Sequence, residues 1–148
     1  MQSIQERYFP DMTCFGCGPG NPDGLQLRSY PSEGGTTATF AGWPQHDNGI
    51  GFLNGGIIST VLDCHSVTPV LLYAEAAGWL SPDVALPYVT AGLDVKFLRP
   101  TPLGPELTLF ATVTSATPEE VWVRSELHFD DKVRATAQAQ WKRWRPRG

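Results

Sequence analysis

One apolar segment, residues 57–77, constrains the fold more than any other feature of this sequence. Its pattern is helical, yet apolar side chains surround nearly the whole helix. Such a helix is stable only when other elements cover most of its surface. Asn54 is a good N-cap before the segment, and Gly78 is a good stop signal after it. Pro69 lies inside, where it removes a backbone hydrogen bond, and it predicts a kink or an early end.

The rest of the chain carries the period-two pattern of β-strands. Two short strands are predicted at residues 25–28 and 36–40, with Gly34-Gly35 as the hairpin turn between them. Longer strands are predicted at residues 89–97, 106–115, 121–129 and 132–144. Short connections make the last three an antiparallel meander. Together these elements predict an α+β fold, in which a five- or six-stranded antiparallel β-sheet wraps around the long central helix.

The size and composition of the chain indicate a single domain. Its 148 residues, 41% of them apolar, suit one hydrophobic core, so residues 1–148 are interpreted as one domain. Residues 1–24 are dense in glycine, proline, asparagine and aspartate, which predicts an ordered N-terminal loop.

Charge and cysteine content narrow the classes of partner. A net charge of −4 provides no basic field for nucleic acid or for an anionic membrane surface. Asp63, His65, Pro69 and Glu75 interrupt the apolar segment, which argues against a membrane span. The N-terminus lacks a signal pattern, and three cysteines cannot all pair within one chain. We therefore expect a reduced, cytoplasmic protein without nucleic-acid or membrane partners.

Three segments, in this order, resemble the hotdog-fold thioesterases of the phenylacetate-pathway (PaaI-like) type. They are CFGCGPGNPDGL at 14–25, LNGGIISTVLDCH at 53–65 and YVTAGLDVKFLRPTPLG at 88–104. The resemblance implies a hotdog fold and hydrolysis of an acyl-coenzyme A thioester. It implies no metal and no cofactor, with coenzyme A (CoA) present only as part of the substrate. It also implies a homodimer or a dimer of dimers (homotetramer) with active sites between subunits.

The resemblance also implies roles for individual residues. By spacing, Asn48 resembles a water-positioning residue, Asp63 the acid on the helix, and Thr90 an assisting hydroxyl on the next strand. His46 is the alternative to Asn48 for positioning water. Asn54 occupies the place before the glycine pair, where the commoner family pattern has histidine and some relatives carry asparagine.

The glycine pair and the helix acid also suggest chemistry by themselves. Gly55 and Gly56 open the helix, where free N–H donors and the helix dipole can stabilise the oxyanion of a thioester under attack. The alternative is a plain loop-to-helix junction. Asp63 is costly to bury alone, so it is a candidate general base or nucleophile. Otherwise it faces solvent beside Ser59 and Ser66, or pairs with a partner such as Arg99.

Helix geometry favours a site shared by two chains. Seven residues separate Asp63 from Gly56, which is about 10 Å along a helix, too far for one carbonyl group to meet both. If both act on one thioester, the acid comes from the partner chain across a two-fold axis.

The remaining candidates are weaker. Thr90 is expected to point away from the apolar face of residues 89–97, to line the cleft and to hydrogen-bond the acid or water, or else to be an ordinary strand threonine. His65 is expected to make a structural hydrogen bond. Arg99 could bind a CoA phosphate. Cys14-x-x-Cys17 resembles half of a zinc site, with Cys64-His65 as a formal completion, but a turn packing small side chains is the favoured interpretation.

The sequence thus predicts an acyl-CoA thioesterase that uses carboxylate-assisted water attack. Two alternatives stay open: a non-catalytic acyl-CoA binding or sensing protein, and a hotdog dehydratase that would need a well-placed histidine. The acyl group is undetermined, since the candidate aromatic residues suit an aromatic or a fatty chain equally well; they are Trp43, Phe52, Trp79 and Tyr88.

Overall fold

A 22-residue helix packs against one face of a six-stranded antiparallel sheet in the computed structural model, which describes residues 1–145. The elements in chain order are α1 (Ile4–Tyr8), β1 (Ser29–Ser32), β2 (Gly35–Ala41), a short 3₁₀ helix (Pro44–His46), α2 (Gly55–Ala76), β3 (Tyr88–Phe97), β4 (Glu106–Ala116), β5 (Glu120–Phe129) and β6 (Lys132–Arg143). The strand order is β1-β2-β4-β5-β6-β3. The predicted α+β arrangement is confirmed, with six strands.

Helix α2 begins and ends where the sequence predicts. The Asn54 side chain caps its first turn. Gly78 follows its end and has a φ of +75°, in the left-handed region that glycine adopts easily. The helix continues through Pro69 to Ala76, so the early end is wrong. The carbonyl that Pro69 leaves without a backbone donor is that of His65, and the Thr68 hydroxyl donates to it at 2.7 Å.

The core forms between α2 and the sheet. Fully buried α2 side chains include Val61, Leu62, Val70, Leu71 and Ala74. Opposite them lie the buried residues Leu107, Leu109, Val121, Val123, Leu127, Ala135, Ala137 and Ala139. The alanine row on β6 leaves room for the helix to lie close to the sheet. By length and composition α2 could cross a membrane, but 67% of its most apolar 18-residue window is buried inside the protein.

Three irregularities curve the sheet. The pairing register shifts between Thr90 and Gly92 on β3, between Val113 and Ser115 on β4, and between Leu127 and His128 where β5 pairs with β6. Such β-bulges bend a strand and increase its twist, which helps the sheet wrap around α2. Strand β3 pairs with β6 on one side only, so it is an edge strand of the sheet.

The N-terminal segment differs from its prediction at two places. Residues 4–8, expected in a loop, form α1, and a capping box between Ser3 and Glu6 stabilises its start. The first strand lies at Ser29–Ser32 and not at residues 25–28. Gln26 has a positive φ of 59°, which breaks the extended conformation there.

His65 is buried in a polar network inside the core. Its Nε2–H donates to the carbonyl oxygen of Thr36 (3.2 Å), and its Nδ1 accepts from the Ser29 hydroxyl (2.8 Å). The Gln5 side chain binds Ser29 in turn, so the network joins α1, β1, β2 and α2. Burial lowers the pKa of His65 to about 4. The geometry agrees with the predicted structural hydrogen bond.

We expect stability to fall as the pH drops, because His65 must be neutral in the folded protein. The unfolded chain takes up this proton near pH 6.5 and the folded protein near pH 4. Across that window the group removes roughly 3 kcal/mol from the free energy of unfolding. Urea unfolding at pH 7 and at pH 4.5 measures the decrease, and His65→Gln is expected to abolish most of it.

His128→Gln is the control for this prediction, since His128 lies at the surface end of β5 and not in the network. It is expected to keep the wild-type pH dependence. An equal decrease in wild type and His65→Gln would contradict the assignment.

Candidate active site

Asp63 and Thr90 form a direct contact between α2 and β3. The Thr90 hydroxyl donates to Asp63 Oδ1 at 2.8 Å. Thr90 pairs with Trp141, which is buried against α2, so Thr90 shares the helix-facing side of the sheet with Leu93 and Val95. The prediction that Thr90 points away from the apolar face is therefore wrong. The bulge between Thr90 and Gly92 changes the alternation, and it exposes Val89 instead.

Asp63 is a partly desolvated carboxylate. Burial raises its pKa above the ordinary value, the Thr90 hydrogen bond lowers it, and the Cys14 thiolate raises it further. No ion pair joins Asp63 to Arg99 within residues 1–145. Ser66 binds the backbone oxygen of Asp63 and the Trp141 indole, not the carboxylate. Asp63 thus keeps one carboxylate oxygen, Oδ2, without a hydrogen-bond donor in the described chain.

The two glycines at the start of α2 are not equivalent. Asn54 Oδ1 accepts hydrogen bonds from the N–H groups of Gly56 (2.7 Å) and Ile57 (3.4 Å). Gly56 is therefore occupied by the cap and does not supply a free donor, contrary to the prediction for the pair. The Gly55 N–H, by contrast, has no acceptor among residues 1–145. The N-terminal donor that remains available is that of Gly55 alone.

Gly55 lies on the wall of a cavity of about 410 Å³. The lining residues also include Asn48, Ile50, Phe52, Leu53, Ile58, Phe97, Leu98, Arg99, Pro100 and Thr101. The wall is mostly apolar, which is usual for a small-molecule site of this volume. Its apolar members are unusually exposed: Ile50 is 78% and Phe97 is 56% accessible. The cavity therefore joins an open apolar surface with one unpaired backbone donor.

Arg99, the residue that the sequence analysis offered for a CoA phosphate, lines this cavity. The backbone N–H groups of Leu98 and Arg99 both donate to the carbonyl oxygen of Arg134, which fixes the chain just after β3. The Arg99 guanidinium forms no ion pair with a carboxylate in the part of the chain described.

Asn48 and His46 have different surroundings. Asn48 lines the cavity, where its Oδ1 accepts from the N–H groups of Ile50 and Phe52. Its side-chain nitrogen remains available to a ligand. His46 is buried and stacked on Trp43 with ring centroids 4.6 Å apart, and its Nδ1 accepts from the Trp43 N–H.

His46 therefore acts on the site only through the backbone. It does not line the cavity, and burial lowers the pKa of its ring. Its carbonyl oxygen accepts from the Asn54 N–H (2.8 Å), which holds the N-cap in place. His46 and Asn54 thus lie at the start of α2 but are not among the residues that line the cavity.

One chain holds two separate groups of candidate residues. Gly55, Asn48 and Arg99 share the cavity, whereas Asp63 and Thr90 are absent from its wall. Gly55 and Asp63 are eight residues apart on α2, or about 12 Å along the axis. The structure thus keeps Gly55 and Asp63 apart on one chain, in keeping with the spacing argument.

Sequence reasoning identified few of the cavity's apolar residues. Of the four aromatic candidates only Phe52 lines it. Trp43 stacks on His46, Trp79 packs at a tilt against Tyr73, and Tyr88 is buried with its hydroxyl donating to the carbonyl oxygen of Pro118. Ile50, Phe97 and Leu98 were missed. The sequence signals that could have found them are an isoleucine in a glycine-rich loop and the Phe-Leu-Arg-Pro run at the end of β3.

Known structures share this fold across most of the chain. A phenylacetic acid degradation-related protein of Ralstonia eutropha JMP134 is 23% identical, with a TM-score of 0.72 over 91% of this chain and 98% of its own. A thioesterase superfamily protein of Shewanella loihica PV-4 is 27% identical, with a TM-score of 0.65 over 86% of this chain and 98% of its own. The E. coli PaaI protein is 20% identical, with a TM-score of 0.64 over 80% of this chain and 84% of its own.

These similarities confirm the predicted resemblance to hotdog structures of the thioesterase superfamily. At such low identities they establish the fold. No protein-family model matches the chain, and the search of curated proteins found no match.

We expect Thr90→Val to raise the pKa of Asp63, because it removes the hydroxyl donor on Oδ1 and keeps the side-chain shape. A ¹³C NMR titration of the Asp63 carboxyl group measures the change. Thr112→Val is the matched control, since Thr112 is a strand threonine whose hydroxyl binds Gly34. An Asp63 titration unchanged in Thr90→Val would show that the contact does not form.

Proposed function

We propose that this protein hydrolyses an acyl-CoA thioester to a free acid and CoA, at sites shared between two copies of the chain. The observation that carries the proposal is the unpaired Gly55 N–H at a helix start, set in an apolar cavity. The fold shared with thioesterase superfamily structures supports the same reaction.

Gly55 would bind the thioester carbonyl. When water attacks, negative charge develops on that oxygen, and a fixed backbone donor at the positive end of a helix stabilises it. A glycine at this position lets the acyl group approach the backbone without a side chain in the way. Because Asn54 occupies the next two N–H groups, Gly55 supplies the helix donor for this purpose.

Asp63 would supply the carboxylate. With Oδ1 held by Thr90, Oδ2 is free to take a proton from water, and its raised pKa brings its basicity closer to neutral pH. The water oxygen then bonds to the carbonyl carbon, the carbon–sulfur bond breaks, and the CoA thiolate takes up a proton. Direct attack by Asp63, through a transient anhydride, is the alternative route to the same products.

The cavity suits the two ends of such a substrate. Ile50, Phe52 and Phe97 offer apolar surface for an acyl chain. Arg99, at the same cavity, is placed to pair with a CoA phosphate, which a guanidinium binds with two parallel hydrogen bonds.

A second copy of the chain would complete each site. Asp63 does not line its own chain's cavity, so a partner's carboxylate must reach the carbonyl bound at Gly55. Strand β3 has an unpaired edge, and it carries the exposed apolar residues Val89 and Phe97. Edges of this kind pair readily with another chain, and a two-fold axis would form two identical sites.

The histidines give the dehydratase alternative no support. His65 is enclosed in the core network, His46 is stacked behind Trp43, and His128 lies near Glu126 on β5. None of these three, which are all the histidines of the chain, lines the cavity.

We expect Asp63→Asn to lower CoA thiol release by at least about a hundredfold, the usual scale for losing a general base. The assay follows free thiol from a panel of short, long and aromatic acyl-CoA esters. Glu75→Gln is the matched control, because Glu75 is an exposed carboxylate on the same helix, paired with Arg7. It is expected to keep wild-type turnover.

Two outcomes would contradict catalysis by Asp63. Full activity in Asp63→Asn would remove the carboxylate from the reaction. A wild type that binds acyl-CoA esters but releases no thiol from any of them would favour the binding-protein alternative.

We expect Gly55→Pro to lower turnover by about a hundred- to a thousandfold, because that is the usual loss when one hydrogen-bond donor to the oxyanion is removed. Proline is well tolerated at the first helical position, and Asn54 already has the extended backbone that precedes proline, with φ −60° and ψ 135°. The substitution therefore deletes the N–H with little harm to the helix. Gly55→Ala, which keeps the N–H and adds one methyl group, is expected to lower turnover much less than Gly55→Pro.

Mixing the two inactive variants tests the shared site. After co-refolding of Gly55→Pro with Asp63→Asn, half of the dimers are mixed, and each holds one site with both residues intact. We expect roughly a quarter of wild-type activity to return. Absence of any recovery would place both residues in sites built by one chain.

A further inference from the structure

The three cysteines of the chain meet at one point between the N-terminal loop and α2. Their sulfur atoms all lie within 4.8 Å of one another, and Cys14 Sγ is 3.7 Å from Cys64 Sγ. Cys17 and Cys64 are buried, whereas Cys14 is exposed. The cluster lies outside the cavity that holds Gly55.

The loop is built so that the sulfur atoms can approach. A side chain at Gly16 would collide with Cys64, since an added Cβ would lie 2.3 Å from Cys64 Sγ. A side chain at Gly18 would likewise lie 2.3 Å from the Cys14 nitrogen. The C-x-G-C-G pattern thus has a steric reason at both glycines.

Backbone hydrogen bonds hold this loop in place. The Gly18 N–H donates to the Cys14 carbonyl oxygen (2.8 Å), which closes the C-x-x-C turn. The N–H groups of Leu25 and Leu27 donate to the carbonyl oxygens of Phe15 and Gly16 (2.7 and 3.0 Å). This pairing explains why residues 25–28 are not part of the sheet, and it fixes Cys14 and Cys17 against α2.

The chemistry of the three side chains gives a reason for a cation. Zinc binds cysteine sulfur as thiolate, and three sulfur atoms within 4.8 Å of one another would repel one another as thiolates. A divalent ion offsets that repulsion.

We propose that Cys14, Cys17 and Cys64 bind one Zn²⁺ ion through three thiolates. Zinc binds sulfur at about 2.3 Å in a tetrahedron, which separates two sulfur ligands by about 3.8 Å, close to the spacing of Cys14 and Cys64. A C-x-x-C turn supplies two of the ligands in many zinc sites, and Cys64 would add a third. The sequence favoured a turn that packs small side chains, because the ligand spacing is incomplete and Cys14 and Cys17 lie in a turn sequence. It offered Cys64-His65 only as a formal completion, and the structure brings Cys64 beside the pair.

The ion would join the N-terminal loop to α2. Residues 14–17 and Cys64 are far apart in the chain, so a shared metal closes a loop of about fifty residues and lowers the entropy of the unfolded state. Three protein ligands leave a fourth position for water or another donor.

Metal content tests the proposal directly. The untagged protein is purified from zinc-supplemented medium under reducing conditions and without chelators. Inductively coupled plasma mass spectrometry is expected to find about one zinc ion per chain. Replacement of zinc with Co²⁺ is expected to produce the sulfur-to-cobalt charge-transfer band and intense visible bands of a tetrahedral thiolate site. Chelator removal of the metal is expected to lower the melting temperature.

Two variants separate this site from adventitious binding. Cys14→Ser, at the exposed cysteine, is expected to remove the cobalt charge-transfer spectrum of the three-thiolate site and to lower zinc content below about a tenth per chain. His128→Gln, which removes the surface His128–Glu126 pair, is expected to keep the wild-type cobalt spectrum and the wild-type zinc content.

Three results would overturn the proposal. They are a folded, reduced wild type that binds no zinc, equal zinc content in wild type and Cys14→Ser, and a Cys14–Cys64 disulfide as the form isolated without oxygen. None of these measurements depends on turnover, so they are distinct from the tests of the thioesterase function.

Discussion

The burial of α2 is the constraint on which the rest of this structure depends. A helix that is apolar on nearly every face must be enclosed, and the sheet encloses it through small and branched residues, the alanine row of β6 above all. This packing fixes the helix start beside the loop of residues 48–53, and it sets the middle of the helix against β3. The positions of Gly55, Asp63 and Cys64 therefore follow from one packing arrangement.

Long periodic segments could be predicted from sequence, and single-residue departures from them could not. The bounds of α2 and of β3–β6 follow from capping residues, turns and alternation. The first strand was misplaced because Gln26 adopts a positive φ, which no local pattern signals. Thr90 was placed on the wrong face because one bulge shifts the alternation of β3.

The same distinction holds for the candidate site. Asp63 was identified because a lone carboxylate is costly to bury in an apolar helix. The structure shows its contact with Thr90, a residue that the sequence had linked to it only by spacing. That Asn54 occupies the Gly56 donor depends on one side-chain rotamer, so the two glycines looked alike in the sequence. The meeting of Cys64 with residues 14–17 is a tertiary contact, invisible to any short-range pattern.

The order of the strands has a consequence for how the protein is made. Strands β4, β5 and β6, which cover α2, all follow it in the chain, and edge strand β3 attaches only to β6, the last strand. On the ribosome, the apolar helix therefore emerges before the elements that bury it. Until β6 is synthesised, α2 remains a hydrophobic segment of membrane-spanning length on the nascent chain. Such a segment is a natural substrate for chaperones that shield exposed apolar surface during translation.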